Sequence, residues 1–335
     1  MNRTIQARVY RPTPRNLAYL AQVLAKGGLV AAPTETVYGL AADALNAKAC
    51  RAIFRAKGRP ADDPLIVHVD SLAQAGEVAL LNDAAIAIAK MFWPGPLTLI
   101  LPKRDGIPAI VTSGLPSVAV RMPAHPLFRE LIRLSGRPLA APSANPFGYV
   151  SPTTAGHVRD GLGLRIGHIL DGGPSTIGVE STILDLRDPK HPALLRPGAV
   201  SREALERVLG RKVTAYRRKV APKTASVAPG LLERHYSPRT PLSLSRTFSL
   251  KKIRRADAQE AWLFVRKPAG KVTAGNIFWL SDAHGGLAQA AHRLFGRLRA
   301  LDGGGWSRLH AQLVPGNSAL ALAINDRLTR AAAKR

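Results

Sequence analysis

Apolar positions in residues 16–26, "NLAYLAQVLAK", recur at helical spacing and stop at Gly27-Gly28, which predicts a helix with a glycine end. "LVAAP" follows as a short buried strand, and "NAKACRAIFRAK" as a second helix that Asn46 is placed to cap. "PLIVHV" (64–69), "PLTLIL" (96–101), "SVAVRM" (117–122) and "ESTILDL" (180–186) are apolar runs bounded by Pro, Gly, Asp or Ser; each reads as a strand. Helical patterns fall between them at 71–80, 83–92, 126–134 and 153–159. Strands mixed with helices in this way predict one α/β domain, and their close spacing favours some antiparallel pairing.

The pattern changes at residue 211. "RKVTAYRRKVAPKTASVAPGLLERHYSPRTP" is basic, carries several prolines and has no sustained apolar period, so it reads as a linker. Beyond it "AWLFV" and "NIFWL" read as strands, "LAQAAHRLFGRLRALD" as an amphipathic helix, "RLHAQLV" as a strand and "ALALAINDRLTRAAA" as a closing helix. The expected organisation is therefore a first α/β domain over 1–210, a linker over 211–240 and a small second α/β domain over 241–335. No internal repeat is visible.

A length of 335 residues allows two such cores. No window approaches 18 uninterrupted apolar residues, so no transmembrane helix is expected, and "MNRTIQARVY" lacks the apolar stretch of a secretory signal. The single cysteine, Cys50, excludes an intrachain disulfide framework and fits a reducing cytoplasm. Charge changes the picture more. Lys and Arg number 48 against 22 acids, a formal +26, which attracts nucleic acid, nucleotide or acidic membrane. The cations are scattered, with short clusters only at 217–219 and 251–255, so RNA binding stays open as one reading.

Three segments place polar groups at the ends of apolar strands, where α/β sheets tend to hold ligands. "PTETVYGLAAD" presents Thr34, Glu35, Thr36 and Tyr38; "KGRPADDPLIVHV" presents Lys57, Arg59, Asp62, Asp63 and His68; "PLAAPSANPFGYVSPT" presents Ser143, Asn145 and Ser151. Two cations on one short turn, Lys57 and Arg59 around Gly58, suit a polyphosphate or, equally, a solvated helix end. Arg121, closing the apolar run "VAVRM", needs an anionic partner: a ligand carboxylate or a neighbouring Asp or Glu. His68 within "LIVHV" reads either as a ligand contact or as a satisfied core histidine. No metal-binding spacing, Walker A loop, GxGxxG or Ser-His-Asp pattern stands out.

Together these segments resemble the YrdC-like family of threonylcarbamoyl-AMP synthases, in the longer form with a C-terminal extension domain. "PTETVYGL", "KGRPADDPLIVHV", "FWPGPLTLIL", "VAVRMPAHP", "APSANPFGYVSPT", "DGGPSTIGVESTILDL" and "LLRPGAV" follow the family's order and spacing, and "APGLLERHYSP" is similar to the linker of the two-domain form. The resemblance implies a YrdC-like twisted mixed sheet with flanking helices and a large concave site, plus a small Rossmann-like C-terminal domain. It implies a cytoplasmic nucleotidyltransferase that joins L-threonine, bicarbonate or carbon dioxide and ATP into threonylcarbamoyl-AMP, with release of pyrophosphate. Mg²⁺ is expected with ATP, and a tRNA threonylcarbamoyl-transferase is expected downstream, with weak tRNA contact and no membrane. Carried over by position, Thr36, His68, Arg121, Ala141 and Ser181 fall on the threonine side. Lys57, Arg59, Asp63, Ser117, Ser143, Asn145, Ser151 and Arg196 fall on the ATP side, with Lys57 and Arg59 in the catalytic role. His235 and Tyr236 form a lid. Two positions depart from the family: Ala228 stands where Ser is usual, and Asp63 where Asn is usual.

Overall fold

The computed structural model describes residues 6–215, 227–231, 235–253, 257–269 and 274–333. The basic cluster at 217–219 and the two arginines of the 251–255 cluster lie outside these residues. Ten strands build the larger sheet: β1 (Arg8–Tyr10), β2 (Val30–Ala32), β3 (Gly39–Asp43), β4 (Ile66–His68), β5 (Leu97–Pro102), β6 (Ser117–Arg121), β7 (Leu139–Ala140), β8 (His168–Leu170), β9 (Thr182–Asp185) and β10 (Ala193–Arg196). Its helices are α1 (Pro14–Ala25), α2 (Ala47–Lys57), α3 (Leu72–Val78), α4 (Asp83–Phe92), α5 (Ala109–Thr112), α6 (Pro126–Ser135), α7 (Ala155–Leu162) and α8 (Arg202–Leu209). The strand order is β1-β8-β2-β3-β7-β4-β6-β5-β9-β10. Parallel pairs such as β4–β6 and β5–β9 alternate with antiparallel ones such as β2–β3, β4–β7 and β5–β6, the mixed sheet the sequence led us to expect.

The two faces of this sheet are covered differently. Leu40, Ala42, Val67, Leu99, Val120 and Leu184 point into the main core, which also holds Ile53, Ile88, Val158 and Leu205 from α2, α4, α7 and α8. On the other face α1 and α6 cover only part of the sheet, packing Leu20, Leu24, Phe128 and Leu131 on Val30, Ala41, Leu139 and Leu170. Beyond them, Ile66, Ile100, Ala119 and Ile183 are met instead by Ala228 and Leu231 of the linker. The concave part of the sheet is thus roofed by a connecting segment and not by a helix.

The second sheet is wholly parallel, in the order β11-β14-β12-β13, built from β11 (Leu242–Ser245), β12 (Glu260–Arg266), β13 (Ile277–Ser281) and β14 (Arg308–Gln312). Its helices are α9 (Leu250–Ile253), α10 (Leu287–Asp302) and α11 (Ala319–Ala331). One core joins Leu263, Leu280 and Leu309 of this sheet to Leu294, Phe295, Ile324 and Leu328 of α10 and α11, and reaches Val37, Val150 and Val179 of the first unit. Contact there is close. Gly178 lies at φ +81°, and a Cβ on it would stand 2.5 Å from His292 Cα and 2.6 Å from the Ala291 and His292 carbonyl oxygens of α10.

Candidate functional site

The β4 and β6 strands run parallel with His68 opposite Arg121, so both side chains emerge at the same end of the sheet. The β2–β3 connection rises beside them. Thr34 shapes that connection: its hydroxyl donates to the Val37 carbonyl at 2.7 Å and accepts from the Thr36 and Val37 amides, both at 3.2 Å. This sets Thr36 against Arg121, whose Nη1 donates to Thr36 Oγ1 at 3.0 Å, and Glu35 against Arg121 Nη2 at 2.6 Å. Of the two partners foreseen for Arg121, the neighbouring acid is present. Burial opposes ionisation of Glu35, but the Arg121 charge and hydrogen bond outweigh it and hold the carboxyl below its ordinary range. His68 packs on the Phe128 ring at 5.1 Å; burial first, then the Arg121 charge, push its pKa down to about 3, so it is a neutral imidazole.

Across the cavity the α2 terminus supplies the second group. Asn46 caps the helix through the Lys48 and Ala49 amides, and Gly58 ends it at φ 64°, a left-handed position that glycine takes without strain. The turn sends Lys57 and Arg59 inward, and both are buried. Lys57 Nζ donates to the Ser143 and Asn145 carbonyls at 2.5 Å each, clamping the "PSAN" turn from behind. Arg59 donates to the Asp63 carbonyl at 3.0 Å and the Pro64 carbonyl at 2.7 Å, and pairs with the Asp63 carboxylate at 2.9 Å. Burial, then the neighbouring Arg59, drive the Lys57 pKa far below that of a free lysine. Burial pushes Asp63 up against the pull of Arg59 and Lys57.

The third wall comes from the start of β9 and the end of β10. Ser181 Oγ meets Thr98 Oγ1 at 2.8 Å and accepts from Arg196 Nη2 at 3.0 Å; Arg196 also donates to the Ser181 carbonyl at 3.0 Å and the linker's Pro229 carbonyl at 3.1 Å. The linker closes the top. His235 stands edge-on to Tyr236 at 4.1 Å, and Tyr236, held at φ 63°, stacks on Phe295 of α10 at 5.4 Å. A tyrosine in that backbone region is uncommon and is kept there only by its surroundings. Burial, then Arg59, Lys57, Arg330 and Arg196 in that order, keep His235 neutral. The enclosed free space is about 50 Å³.

Of the residues expected on the threonine side, Thr36, His68, Arg121, Ala141 and Ser181 all line this one cavity. On the ATP side, Arg59, Ser143 and Arg196 line it, as do His235 and Tyr236. Lys57, Asp63, Asn145 and Ser151 sit behind its wall, fully or nearly buried. Asn145 Nδ2 donates to the Pro146 and Tyr149 carbonyls at 2.8 and 2.9 Å, so that side chain shapes its own loop. Ser117 stands at the opposite end of β6 from Arg121.

Sequence reasoning missed the carboxylate beside Ser181. Glu180 lines the cavity, accepts from Ser151 Oγ at 2.6 Å and pairs with Arg327 of α11 at 2.9 Å. Arg327 also donates to the Glu180 and Pro197 carbonyls at 3.2 and 2.7 Å, and Arg330 reaches the Leu231 carbonyl at 2.8 Å while Asp326 holds it at 3.1 Å. A signal was present: Arg327 lies on the apolar stripe of α11, three residues after Ile324 and beside Leu328, where a cation must have a buried partner. Counting both units, the buried cations Lys57, Arg59, Arg121, Arg196, Arg327 and Arg330 surround the carboxylates Glu35, Asp63, Glu180 and Asp326. Positive charge is in excess.

A concave mixed α/β sheet thus gathers guanidinium groups, hydroxyls and a neutral imidazole in one cavity under a two-aromatic cover. A family model described as "Telomere recombination" (Sua5/YciO/YrdC) matches residues 22–198, and one described as "Threonylcarbamoyl-AMP synthase, C-terminal domain" matches 200–333. The threonylcarbamoyl-AMP synthase of Pyrococcus abyssi is 41% identical over 326 residues, spanning 94% of this chain and 93% of its own, and that of Bacillus subtilis is 39% identical over 327 residues, spanning 95% and 93%. The crystal structure of P. abyssi Sua5 complexed with L-threonine superposes with a TM-score of 0.85 at 39% identity, over 98% of this chain and 97% of that one. The chain belongs to the threonylcarbamoyl-AMP synthase family, in its two-domain form.

Proposed function

We propose that the protein makes L-threonylcarbamoyl-AMP from L-threonine, bicarbonate or carbon dioxide, and ATP, releasing pyrophosphate as the first stage of tRNA threonylcarbamoyladenosine formation. One observation carries this reading: Arg121, Thr36, His68 and Ser181 share a single cavity with Arg59, Ser143 and Arg196. The first group suits an amino acid, with Arg121 on the carboxylate and the hydroxyls of Thr36 and Ser181 as polar anchors. The second group suits phosphates. The reaction needs the threonine nitrogen, the one-carbon unit and the α-phosphorus aligned, and charge stabilised as pyrophosphate departs; no covalent nucleophile is required. His68, with its pKa pushed down to about 3, is too weak a base to take the proton of the threonine ammonium and serves as a neutral polar wall of the amino-acid half. Lys57 acts from behind, fixing the turn that carries Ser143.

About 50 Å³ holds a few waters and falls far short of the roughly 300 Å³ of small ligand pockets. Pro229, Gly230, His235 and Tyr236 of the linker line the cavity, the placement of a cover that opens to admit ATP and closes to exclude water from the labile mixed anhydride. Among the described residues no group of three or more His, Cys, Asp or Glu could cage a metal. Mg²⁺ would enter as an ion carried on the phosphates; Asp63, the carboxylate on that side, lies buried behind the cavity wall against Arg59 and is not placed to hold it. We further assign 1–210 to the synthase unit, 211–240 to the lid-bearing linker and 241–335 to the second unit. The labile product implies a tRNA-modifying acceptor enzyme in the cytoplasm; among the described residues no helix is long and apolar enough to cross a membrane. The test is to incubate the protein with ¹³C-bicarbonate, L-threonine and ATP and to quench within seconds. A labelled threonylcarbamoyl adenylate is expected by mass spectrometry; ATP consumption without that species would overturn the proposal.

A further inference from the structure

The first 34 residues carry Arg3, Arg8, Arg11, Arg15 and Lys26 and no acid; the first carboxylate, Glu35, is buried against Arg121. The described part of this segment forms the free edge of the large sheet, since β1 pairs with β8 alone, together with the outer face of α1. Arg8, Arg11 and Arg15 are exposed, and none takes part in an ion pair among the described residues. Beside Arg8 sits an aromatic cluster, whose Tyr19 is one helical turn along α1 from Arg15. The rings of Tyr10, Tyr19 and His168 lie 5.7 Å apart in each pairing, with Tyr19 edge-on to His168 at 74°. Tyr10 Oη and His168 Nδ1 are 3.2 Å apart, and the Arg8 guanidinium lies 5.0 Å from the Tyr10 ring centre. Tyr10 is buried and props up the cluster, while Tyr19 is 45% exposed and offers a π surface to solvent.

Unpaired guanidinium groups flanking an exposed, buttressed ring match the combination that holds phosphates and stacks unpaired bases. An acidic protein would satisfy the charges but would leave the ring unused. We propose that this β1–α1 edge is an RNA-binding surface, with Arg8, Arg11 and Arg15 on backbone phosphates and Tyr19 stacking an unpaired base. The surface is separate from the cavity: five strand spacings divide β1 from β4, about 24 Å. The inference therefore stands whether or not the synthase reading does.

The experiment is fluorescence anisotropy of the full chain with a labelled, unmodified tRNA transcript, across a salt series. The triple variant Arg8→Ala/Arg11→Ala/Arg15→Ala is compared with an equal-charge control, Lys48→Ala/Arg51→Ala/Arg55→Ala, on the exposed face of α2. Losing three phosphate contacts should lower the slope of log affinity against log salt by about 2 to 3, and more than the control does. Tyr19→Ala, a single exposed change on a helix, should weaken binding by about 5- to 100-fold with the salt slope unchanged, whether or not the triple variant folds. Pyrophosphate release should be unaffected in each. Equal losses in the two triples would show binding by net charge alone and overturn the proposal. So would wild-type affinity in Tyr19→Ala, or a patch that loses binding to phosphatidylserine vesicles but not to RNA.

Discussion

Arg327→Met removes a guanidinium from between the two units while keeping most of the side-chain volume. Arg327 is fully buried and donates to Glu180 Oε2 at 2.9 Å, the Glu180 carbonyl at 3.2 Å, the Pro197 carbonyl at 2.7 Å and Asp326 Oδ2 at 3.1 Å. Asp326 keeps Arg330 after the change, so the loss falls on Glu180, left buried with the Ser151 hydrogen bond on its other carboxylate oxygen. Breaking a buried pair by removing one partner costs about 3–5 kcal/mol, most of it the uncompensated charge left behind. Glu180→Gln should relieve much of that cost, because a neutral amide is far cheaper to bury. The double-mutant cycle in urea unfolding should therefore show a coupling of about 2 kcal/mol or more, with the double variant above Arg327→Met in stability. Pyrophosphate release should fall in Arg327→Met, since Glu180 lines the cavity and positions Ser151. A coupling below about 0.5 kcal/mol would mean that water solvates both groups and that the second unit does not shape the site.

Gly178→Ala places a Cβ 2.5 Å from His292 Cα at a backbone φ of +81°, so α10 must withdraw. We expect a loss of at least about 1–3 kcal/mol and faster proteolysis between the units; wild-type stability would refute the close approach. Burial first, and then neighbouring cations, lower the pKa values of Lys57 and His235, so a polyphosphate anion should raise both. ATP binding should then take up protons and weaken as pH rises through the pKa values of the complex. Calorimetry in two buffers of different ionisation enthalpy measures this, and identical heats would contradict it. Lys57→Met should cost both stability and turnover, because it leaves the Asn145 carbonyl without its donor and the Ser143 carbonyl with the Asn145 amide alone. Turnover loss with unchanged unfolding would refute the clamp.

Long periodic elements were legible in the chain. The helices at 14–25, 47–57 and 83–92 and the strands at 97–102, 117–121 and 260–266 announce themselves through spacing and flanking Pro, Gly or Asn. Of the strands of three or four residues, β2, β4 and β9 were read from their apolar runs, whereas β1, β8 and β10 were not. β1, β8 and β10 are too short for a period, and β3, "GLAAD", is alanine-rich and buried on both faces, so it shows no alternation. The cavity residues were found because motifs named them, and topology then explained their convergence: His68 and Arg121 end two parallel neighbours. Two things could not be read from sequence spacing. The Glu35–Arg121 and Glu180–Arg327 pairs join residues 86 and 147 positions apart, and only the fold brings them together. Nor could the polar groups of "PSAN" be divided beforehand. Ser143 faces the cavity, while Asn145 and the Lys57 ammonium build the loop that carries it.

The central claim is a site with an amino-acid half at Arg121 and a nucleotide half at Arg59 and Lys57. Pyrophosphate release from ATP by the purified protein, with and without L-threonine and bicarbonate, tests it most directly. The account predicts release that requires both and collapses in Arg121→Ala and in Lys57→Ala. Release indifferent to threonine, or undiminished in Arg121→Ala, would contradict it.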